Sequence, residues 1–471
     1  MNIYVVRKGD QLRSISQRYG VNIKQIIAAN QLSDPNVLVV GQALVIPSPG
    51  REYIIQPGDN LWAIAKSFGT SVQAIAGANQ ISDPSSINVG QVITIPIQYH
   101  TVHAGETLWS IAQRYGVNTT AIADMNYIIN PSTLYVGQVL RIPEKLLPFK
   151  EVNAYITKLN ESGAQEVHQL GRYLTYLCPF TYSIKEDGTL TELNESAVLN
   201  AAKTEHITPL MTVTNFVNQD FNSDLAASIL RNAPTQDILI NNLLTVMRTK
   251  GYIGINFDFE YIYPEDRENY NAFLEKVVTK FHPNGYFVST ALAPKISSDQ
   301  KGILYEAHDY EAQGQIVDFI VLMTYEWGWA GGKPLAIAPI NEVKKVLDYA
   351  VTVIPNYKIL MGAPLYGRDW KIPWQEGTFA KTIRPQQAVL LASKYGANIE
   401  YNQTYQSPFF RYTDETGQQH EVWFEDARSV QAKFDVVNNY GLRGISYWVL
   451  GNPFPQNWLV QENNFKAYKL I

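Results

Sequence analysis

The chain is poor in the features that mark several protein classes. It has one cysteine, Cys178, in 471 residues, so no internal disulfide can form, and no Cys/His cluster of metal-site spacing is present. No metal or cofactor is therefore expected. His100 and His103 lie three apart in a predicted strand, a spacing that points them to opposite faces and to structural roles. Charged residues make up only 17% of the chain and the formal net charge is -5, which excludes a basic surface built for nucleic acid. No apolar run approaches the length of a membrane span, so no membrane partner is expected. Met1-Asn2 runs at once into Ile3-Tyr4-Val5-Val6, with no charged segment ahead of an apolar one. That start predicts no signal peptide, synthesis in the cytoplasm, and release by lysis or encasement if the protein works outside. What the chain does have is 46% hydrophobic and 12% aromatic residues, enough for a sizeable core. Its length predicts two or more domains.

Repetition organises the first third. Gly9-Asp10, Gly58-Asp59 and Gly105-Glu106 recur at a spacing of about 50 residues, the mark of a repeated unit. The same offsets relate Asn30, Asn79 and Asn126, then three Val-Gly-Gln triplets, then Ile46-Pro47, Ile95-Pro96 and Ile142-Pro143. Each unit reads as strand, glycine turn, two short helices and closing strand. Leu12 and Ile15, Leu61 and Ile64, and Leu108 and Ile111 share a helix face at i, i+3. Gly20, Gly69 and Gly116 end the first helix, and Asn22, Ser71 and Asn118 cap the second. These βααβ units, placed at 1–48, 49–97 and 98–146, resemble the LysM module, which binds glycans containing N-acetylglucosamine. The resemblance implies a shallow groove between two loops. It nominates Gly9, Asp10 and Asn30, Gly58, Asp59 and Asn79, and Gly105, Glu106 and Asn126 as glycan contacts. The same residues also suit turns and helix ends. Arg13 stands where Trp62 and Trp109 stand in the other units, so the first is expected to bind differently.

After a linker at Glu144–Phe149, apolar strand-like runs alternate with helical stretches. Strands are predicted near Ala154 and at Tyr173–Leu177, Leu210–Val213, Ile253–Phe259, Phe287–Ala291, Phe319–Met323, Ile359–Ala363 and Ile445–Tyr447. Helices are predicted at Ser223–Arg231, Thr235–Thr249 and Asp266–Phe281. Eight strands with crossover helices predict a (β/α)8 TIM barrel over 150–471, an α/β fold with its site at the strands' C-terminal ends. The long interval before the last strand predicts an insertion around 369–435 that walls the cleft.

In Gly254-Ile255-Asn256-Phe257-Asp258-Phe259-Glu260-Tyr261, apolar and polar residues alternate with period two, placing Asn256, Asp258 and Glu260 on one strand face. Asp258 and Glu260 then lie ~6.6 Å apart between Cα atoms. One carboxylate can raise its neighbour's pKa and keep it protonated, as a general acid requires. A half-exposed strand with a solvated polar face fits the same pattern.

With a barrel around it, this segment resembles the acidic strand of the family 18 glycoside hydrolases. Met323-Thr324-Tyr325, the run Gly362–Arg368, and Gly444-Ile445-Ser446-Tyr447-Trp448 match that family at three further strand ends. Departures are Asn256 and Ile253 at positions where Asp is common, Phe259 for Trp, and Glu326 for Asp after the tyrosine. The resemblance implies Glu260 as acid/base, Asp258 as the group that orients the substrate's acetamide, and Tyr325 as donor to the acetamide oxygen. Asn256 is expected to hydrogen-bond Asp258 from behind, and Trp448 to floor the sugar site. Tyr366, Arg368, Met323, Glu326, Asn215 and Tyr182 are further substrate-binding candidates, and the loop bearing Trp327 and Trp329 offers rings for more sugars.

Together the two resemblances point to a polymer containing N-acetylglucosamine. The arrangement is similar to bacterial spore-germination enzymes that depolymerise cortex peptidoglycan, usually with two LysM modules rather than three. It implies action on peptidoglycan and deposition in the spore coat or cortex, and a monomer is expected. Alternatives are a chitinase, and, outside enzymes, a glycan-binding lectin or a coat protein.

Overall fold

Backbone hydrogen bonding follows the apolar runs. In the computed structural model, which describes every residue except Pro49, Gly69, Gln80, Ser82, Glu144 and Leu146, with Arg51 and Glu52 as backbone only, the chain forms two compact units. One holds the repeats and the other contains Phe149–Ile471.

Each repeat closes a two-stranded sheet between its first and last segments: Asn2–Val5 with Ala43–Ile46, Arg51–Ile54 with Val92–Ile95, and Gln98–Thr101 with Val139–Ile142. Two eight-residue helices fill the first two units, and an eight- and a seven-residue helix fill the third. Leu12 and Ile15, Leu61 and Ile64, and Leu108 and Ile111 are all buried beneath these sheets. Gly20 and Gly116 end their helices in the left-handed region, at φ 63° and 62°, where a side chain would be strained. Gly69 lies outside the described residues. Asn22, Ser71 and Asn118 each accept a backbone N–H from the first turn of the second helix.

The larger unit is a closed ring of eight parallel strands: β1 (Phe149–Ile156), β2 (Tyr176–Pro179), β3 (Thr208–Thr214), β4 (Gly254–Asp258), β5 (Phe287–Leu292), β6 (Phe319–Leu322), β7 (Ile359–Pro364) and β8 (Gly444–Leu450). Consecutive strands pair in register, and Gly444 to Tyr447 of β8 pair with Glu151 to Ala154 of β1, closing the barrel. Closure leaves the ring no open edge. Crossover helices occupy Ser223–Leu230, Ala233–Lys250 and Arg267–Phe281, among others.

Between β7 and β8 a five-stranded antiparallel sheet with one helix, Pro385–Lys394, spans Gly367 to Trp423. The helix Ala427–Asn439 that follows leads directly into β8 and is the barrel's own crossover. The inserted sheet thus begins earlier and ends sooner than 369–435. Helix period alone could not tell the two helices apart.

Strand β4 shows why its pattern alternates. Phe257 and Phe259 point to the outer layer, with ring centres 5.4 Å and 5.8 Å from Phe273 and Tyr270 of the helix Arg267–Phe281. Burying each ring is worth about 2 kcal/mol. The polar residues between them face the barrel interior. Asn256 and Asp258 are 1% and 4% exposed, which rules out a solvated polar face.

Candidate active site

Asp258 is the last residue of β4, opposite Thr214 of β3, and Glu260 lies two residues beyond it at the ring's C-terminal mouth. Tyr325 follows β6, Tyr366 follows β7, and Trp448 lies on β8 opposite Pro364. The four strand ends bring these residues to one place. The charges of Asp258 and Glu260 both act on the Tyr155 and Tyr325 hydroxyls, whose pKa values are raised first by burial and then by such neighbours.

The two carboxyls are shifted upward. Burial pushes Asp258 up to about 7. Glu260 is held well above the usual carboxylate range, first by desolvation and then by the charges of Asp258, Glu326 and Asp220. Asp258 Oδ1 is buried with no hydrogen-bond partner among the described residues. A buried carboxylate oxygen left bare costs folding free energy, and such a cost persists where a ligand supplies the missing donor.

The main chain carrying Glu260 is clamped. Asn215 Oδ1 accepts the Glu260 N–H at 3.0 Å, and its Nδ2 donates to the Glu260 carbonyl at 2.8 Å. One residue back, the Phe259 carbonyl meets His308 Nε2 at 2.9 Å, while His308 Nδ1 accepts the Ala293 N–H at 2.8 Å. The second contact fixes the ring as the Nε2–H tautomer, and burial, more than any other influence, pushes its pKa down to about 4. Asn215 is thus spent on the backbone of Glu260 rather than left free for sugar. His308 escaped sequence reasoning because it follows no strand and carries no motif.

Two further expectations are corrected. Asn256 does not bond Asp258: its Oδ1 accepts from the Tyr155 hydroxyl at 2.6 Å, and its Nδ2 donates to Ser289 Oγ at 3.0 Å. Tyr155 across the barrel on β1 and Ser289 on the adjacent strand β5 satisfy it instead. Tyr155 was the missed partner; its place within the β1 alternation is the only sequence signal for it. Tyr182 is buried and donates to Glu195 at 2.6 Å, a carboxylate shared with Tyr252 and Lys250, so it does not line the mouth.

Trp448 is half-buried, its ring 5.4 Å from Tyr155 and 4.9 Å from Phe180. Met323 is buried in the same interior cluster. Glu326, in the left-handed region at φ 67°, takes hydrogen bonds from Arg368 Nη2 at 2.8 Å and from the Tyr366 hydroxyl. These three form one network beside Tyr325. Trp329 is half exposed, edge-on to Phe379 in the loop between two strands of the inserted sheet.

In the repeats, the nominated residues are engaged internally. Asn30 donates to the Ile26 and Val45 carbonyls and accepts the Val45 N–H, tying the second helix to the closing strand. Asn79 and Asn126 repeat the pattern. Asp10 and Asp59 accept from the Tyr4 and Tyr53 hydroxyls and from a backbone N–H. Gly9, Gly58 and Gly105 take φ of 82–90° in the turn and present no side chain. Glu106 is held down at about 2, first by the His103 N–H and then by His100. His100 and His103 do not diverge. The strand ends at Thr101, and the turn after it brings both rings to Glu106.

Residues 153–452 match the family described as glycosyl hydrolases family 18, and residues 4–47, 53–96 and 100–143 match the LysM domain. The chain belongs to glycosyl hydrolase family 18. Among its relatives, the cortical fragment-lytic enzyme of Bacillus subtilis strain 168 is 45% identical over 476 aligned residues, covering 100% of this chain and 99% of that protein. The Bacillus anthracis enzyme of the same name is 50% identical over 313 residues, 66% of this chain and 73% of its own. The crystal structure of the spore cortex-lytic enzyme SleL from Bacillus megaterium QM B1551 superposes with a TM-score of 0.81 at 38% identity, covering 100% and 99% of the two chains. That from Bacillus cereus gives 0.79 at 41% identity, covering 99% and 98%. No described helix of this family 18 chain is long and apolar enough to cross a membrane.

Proposed function

We propose that this glycosidase cuts the glycan strands of peptidoglycan, with spore cortex as its natural substrate, on the reducing side of N-acetylglucosamine. The observation that carries the reading is the bare, buried Asp258 Oδ1 beside Glu260, whose pKa desolvation and neighbouring charges push well above the usual carboxylate range. A 2-acetamido sugar supplies the donor that Asp258 lacks, and a glycosidic oxygen supplies the acceptor for the Glu260 proton.

In this mechanism Glu260 gives its proton to the leaving glycosidic oxygen as the bond to C1 breaks. The substrate's acetamide oxygen bonds to C1 in its place and forms a cyclic oxazolinium ion, the substrate-assisted exception among glycosidases. Asp258 accepts the acetamide N–H and offsets the positive charge. Tyr325 donates to the acetamide oxygen, and Trp448 stacks under the ring. Water then attacks C1, loses a proton to Glu260 and opens the oxazolinium ring, so the configuration is retained. Asn256, committed to Tyr155 and Ser289, shapes the space behind Asp258 without exchanging protons with it. Glu326, Tyr366 and Arg368 border the bound sugar.

The LysM modules keep the enzyme on the polymer, since several weak contacts raise the local concentration for the next. With the repeated Asp and Asn side chains spent internally, sugar contacts fall to loop backbone and to exposed rings. Trp62 and Trp109, 64% and 65% exposed, are the candidates. Module 1, with Arg13 in that place, contributes least. The enzyme works as a monomer in the spore coat and cortex.

The test is mass spectrometry of products from spore cortex, vegetative wall and chitin, with Glu260→Gln alongside. Saccharides ending in reducing N-acetylglucosamine, released fastest from cortex and absent with the variant, are expected. Reducing muramic acid ends would assign the wrong bond, and preference for chitin would make the protein a chitinase.

A further inference from the structure

The three modules share one construction, and the third departs from it chemically. In modules 1 and 2 a strand tyrosine reaches the turn aspartate: Tyr4 donates to Asp10 at 2.6 Å, and Tyr53 to Asp59 at 2.7 Å. In module 3 the strand residue is His100 and the turn residue Glu106, with Nε2 of the ring 2.6 Å from Oε2. Histidine is shorter than tyrosine and glutamate one methylene longer than aspartate, so the reach is conserved. The chemistry is not, because an imidazole nitrogen offers a lone pair to a metal and a phenol in this setting does not. A second change accompanies the first. The position occupied by Arg7 and Gln56 in the other modules is His103, whose Nδ1 lies 3.3 Å from the same Oε2.

We propose that His100, His103 and Glu106 form a binding site for a divalent transition-metal ion, with zinc as the reference ion, in the third module. Their three ligand atoms all lie within 4.8 Å of one another. Ligands bound at ~2.0–2.1 Å in a tetrahedral site are about 3.3 Å apart. The His103 separation already has this value, and the His100 contact has to open by less than about 1 Å. His103, 71% exposed at its side chain, gives the ion its entry path. His100 is buried, and its Nδ1 lies 3.1 Å from the Tyr115 hydroxyl. Without metal, Tyr115 donates to Nδ1 while Nε2–H bonds Glu106. With metal, the proton moves to Nδ1 and Tyr115 accepts it, the outer contact that orients a metal-binding histidine. The other Glu106 oxygen, Oε1, is held by Arg114 at 2.9 Å, and the His103 N–H meets Oε2 at 2.9 Å, so the carboxylate is fixed in place. Two imidazoles and one carboxylate suit zinc and leave one coordination position for water. Bound there, the ion ties the first strand of a small module to its turn and stabilises the module.

Calorimetric titration of the full chain with zinc chloride, backed by equilibrium dialysis, tests the site. One zinc per chain is expected, with an affinity lowered at least about tenfold by His103→Gln, the residue of module 2. The pair His100→Tyr with Glu106→Asp installs the construction of modules 1 and 2. It is expected to keep the far-ultraviolet spectrum and thermal transition of the unaltered chain while losing zinc. Cobalt in place of zinc is expected to give visible absorption bands that vanish in the double variant and need higher cobalt concentrations in His103→Gln. No zinc retained by the unaltered chain, or retention unchanged in His103→Gln, would overturn the site.

Discussion

The modules and the barrel treat their polar residues in opposite ways. In the modules, the side chains that recur from unit to unit are saturated: Asn30, Asn79 and Asn126 each bridge helix and strand with three hydrogen bonds. At the barrel mouth, Asp258 keeps a buried oxygen bare, and the Glu260 carboxyl engages no hydrogen-bond partner among the described residues. A repeated polar residue is therefore evidence of scaffold as readily as of binding. A bare carboxylate oxygen at a strand end, beside a second carboxyl whose pKa is raised, is a candidate for chemistry.

The sharpest way to break this contrast is Glu260→Gln. It preserves shape and removes the proton, so kcat on cortex fragments should fall by about 10³-fold or more, with glycan binding through the modules unchanged. Retained turnover would undo the assignment of the acid. Asp258→Asn comes next, with a loss of about 10²–10³-fold in kcat. It also carries a pH signature. The charge of Asp258 helps to raise Glu260, so removing it lets the Glu260 pKa fall, and the alkaline limb of activity should move to lower pH.

Stability should respond in the opposite sense. An exposed Asp titrates near about 4, and Asp258 in the fold near about 7. The folded protein holds the extra proton between those values, so stability is full below the lower one and declines as pH rises through the higher. Asp258→Asn should thus melt above the unaltered protein at pH 8, with the gap closing toward pH 4. Equal melting temperatures at every pH would show that Asp258 bears no such penalty.

Smaller effects test the rest of the comparison. Trp448→Ala should cost about tenfold in kcat/KM through lost stacking, and leave the rate on a tightly held substrate less affected. On the scaffold side, Asn30→Ala strands two carbonyls and one N–H. It should destabilise its module by about 2–3 kcal/mol in denaturant unfolding without altering kcat on soluble fragments. A catalytic defect there, or none in stability, would erase the distinction between the two regions.

Much of this was legible in the residues. The alternation in β4 assigned Phe257 and Phe259 to one face and Asp258 to the other, since strand period two follows from backbone geometry alone. The repeats were legible because the same offsets return three times. Less legible were interactions whose partner is remote in the chain. Asn256 looked free for Asp258 until Tyr155 and Ser289 claimed both its ends. Tyr182 looked like a rim residue until Glu195 took its hydroxyl. A strand continuing past Thr101 would point His100 and His103 apart, and the turn that begins there instead brings them together.

The sequence by itself determined the three repeated units, the order of eight strands, and the carboxyl residues at the end of β4, because local period and recurrence are properties of neighbouring residues. Tertiary structure alone decided which polar groups are saturated and which are bare. Closing the ring brings β1 within hydrogen-bonding distance of β4 across the interior. Whether a side chain then finds a partner depends on residues a hundred positions away, and that is what leaves Asp258 Oδ1 without a donor among the described residues.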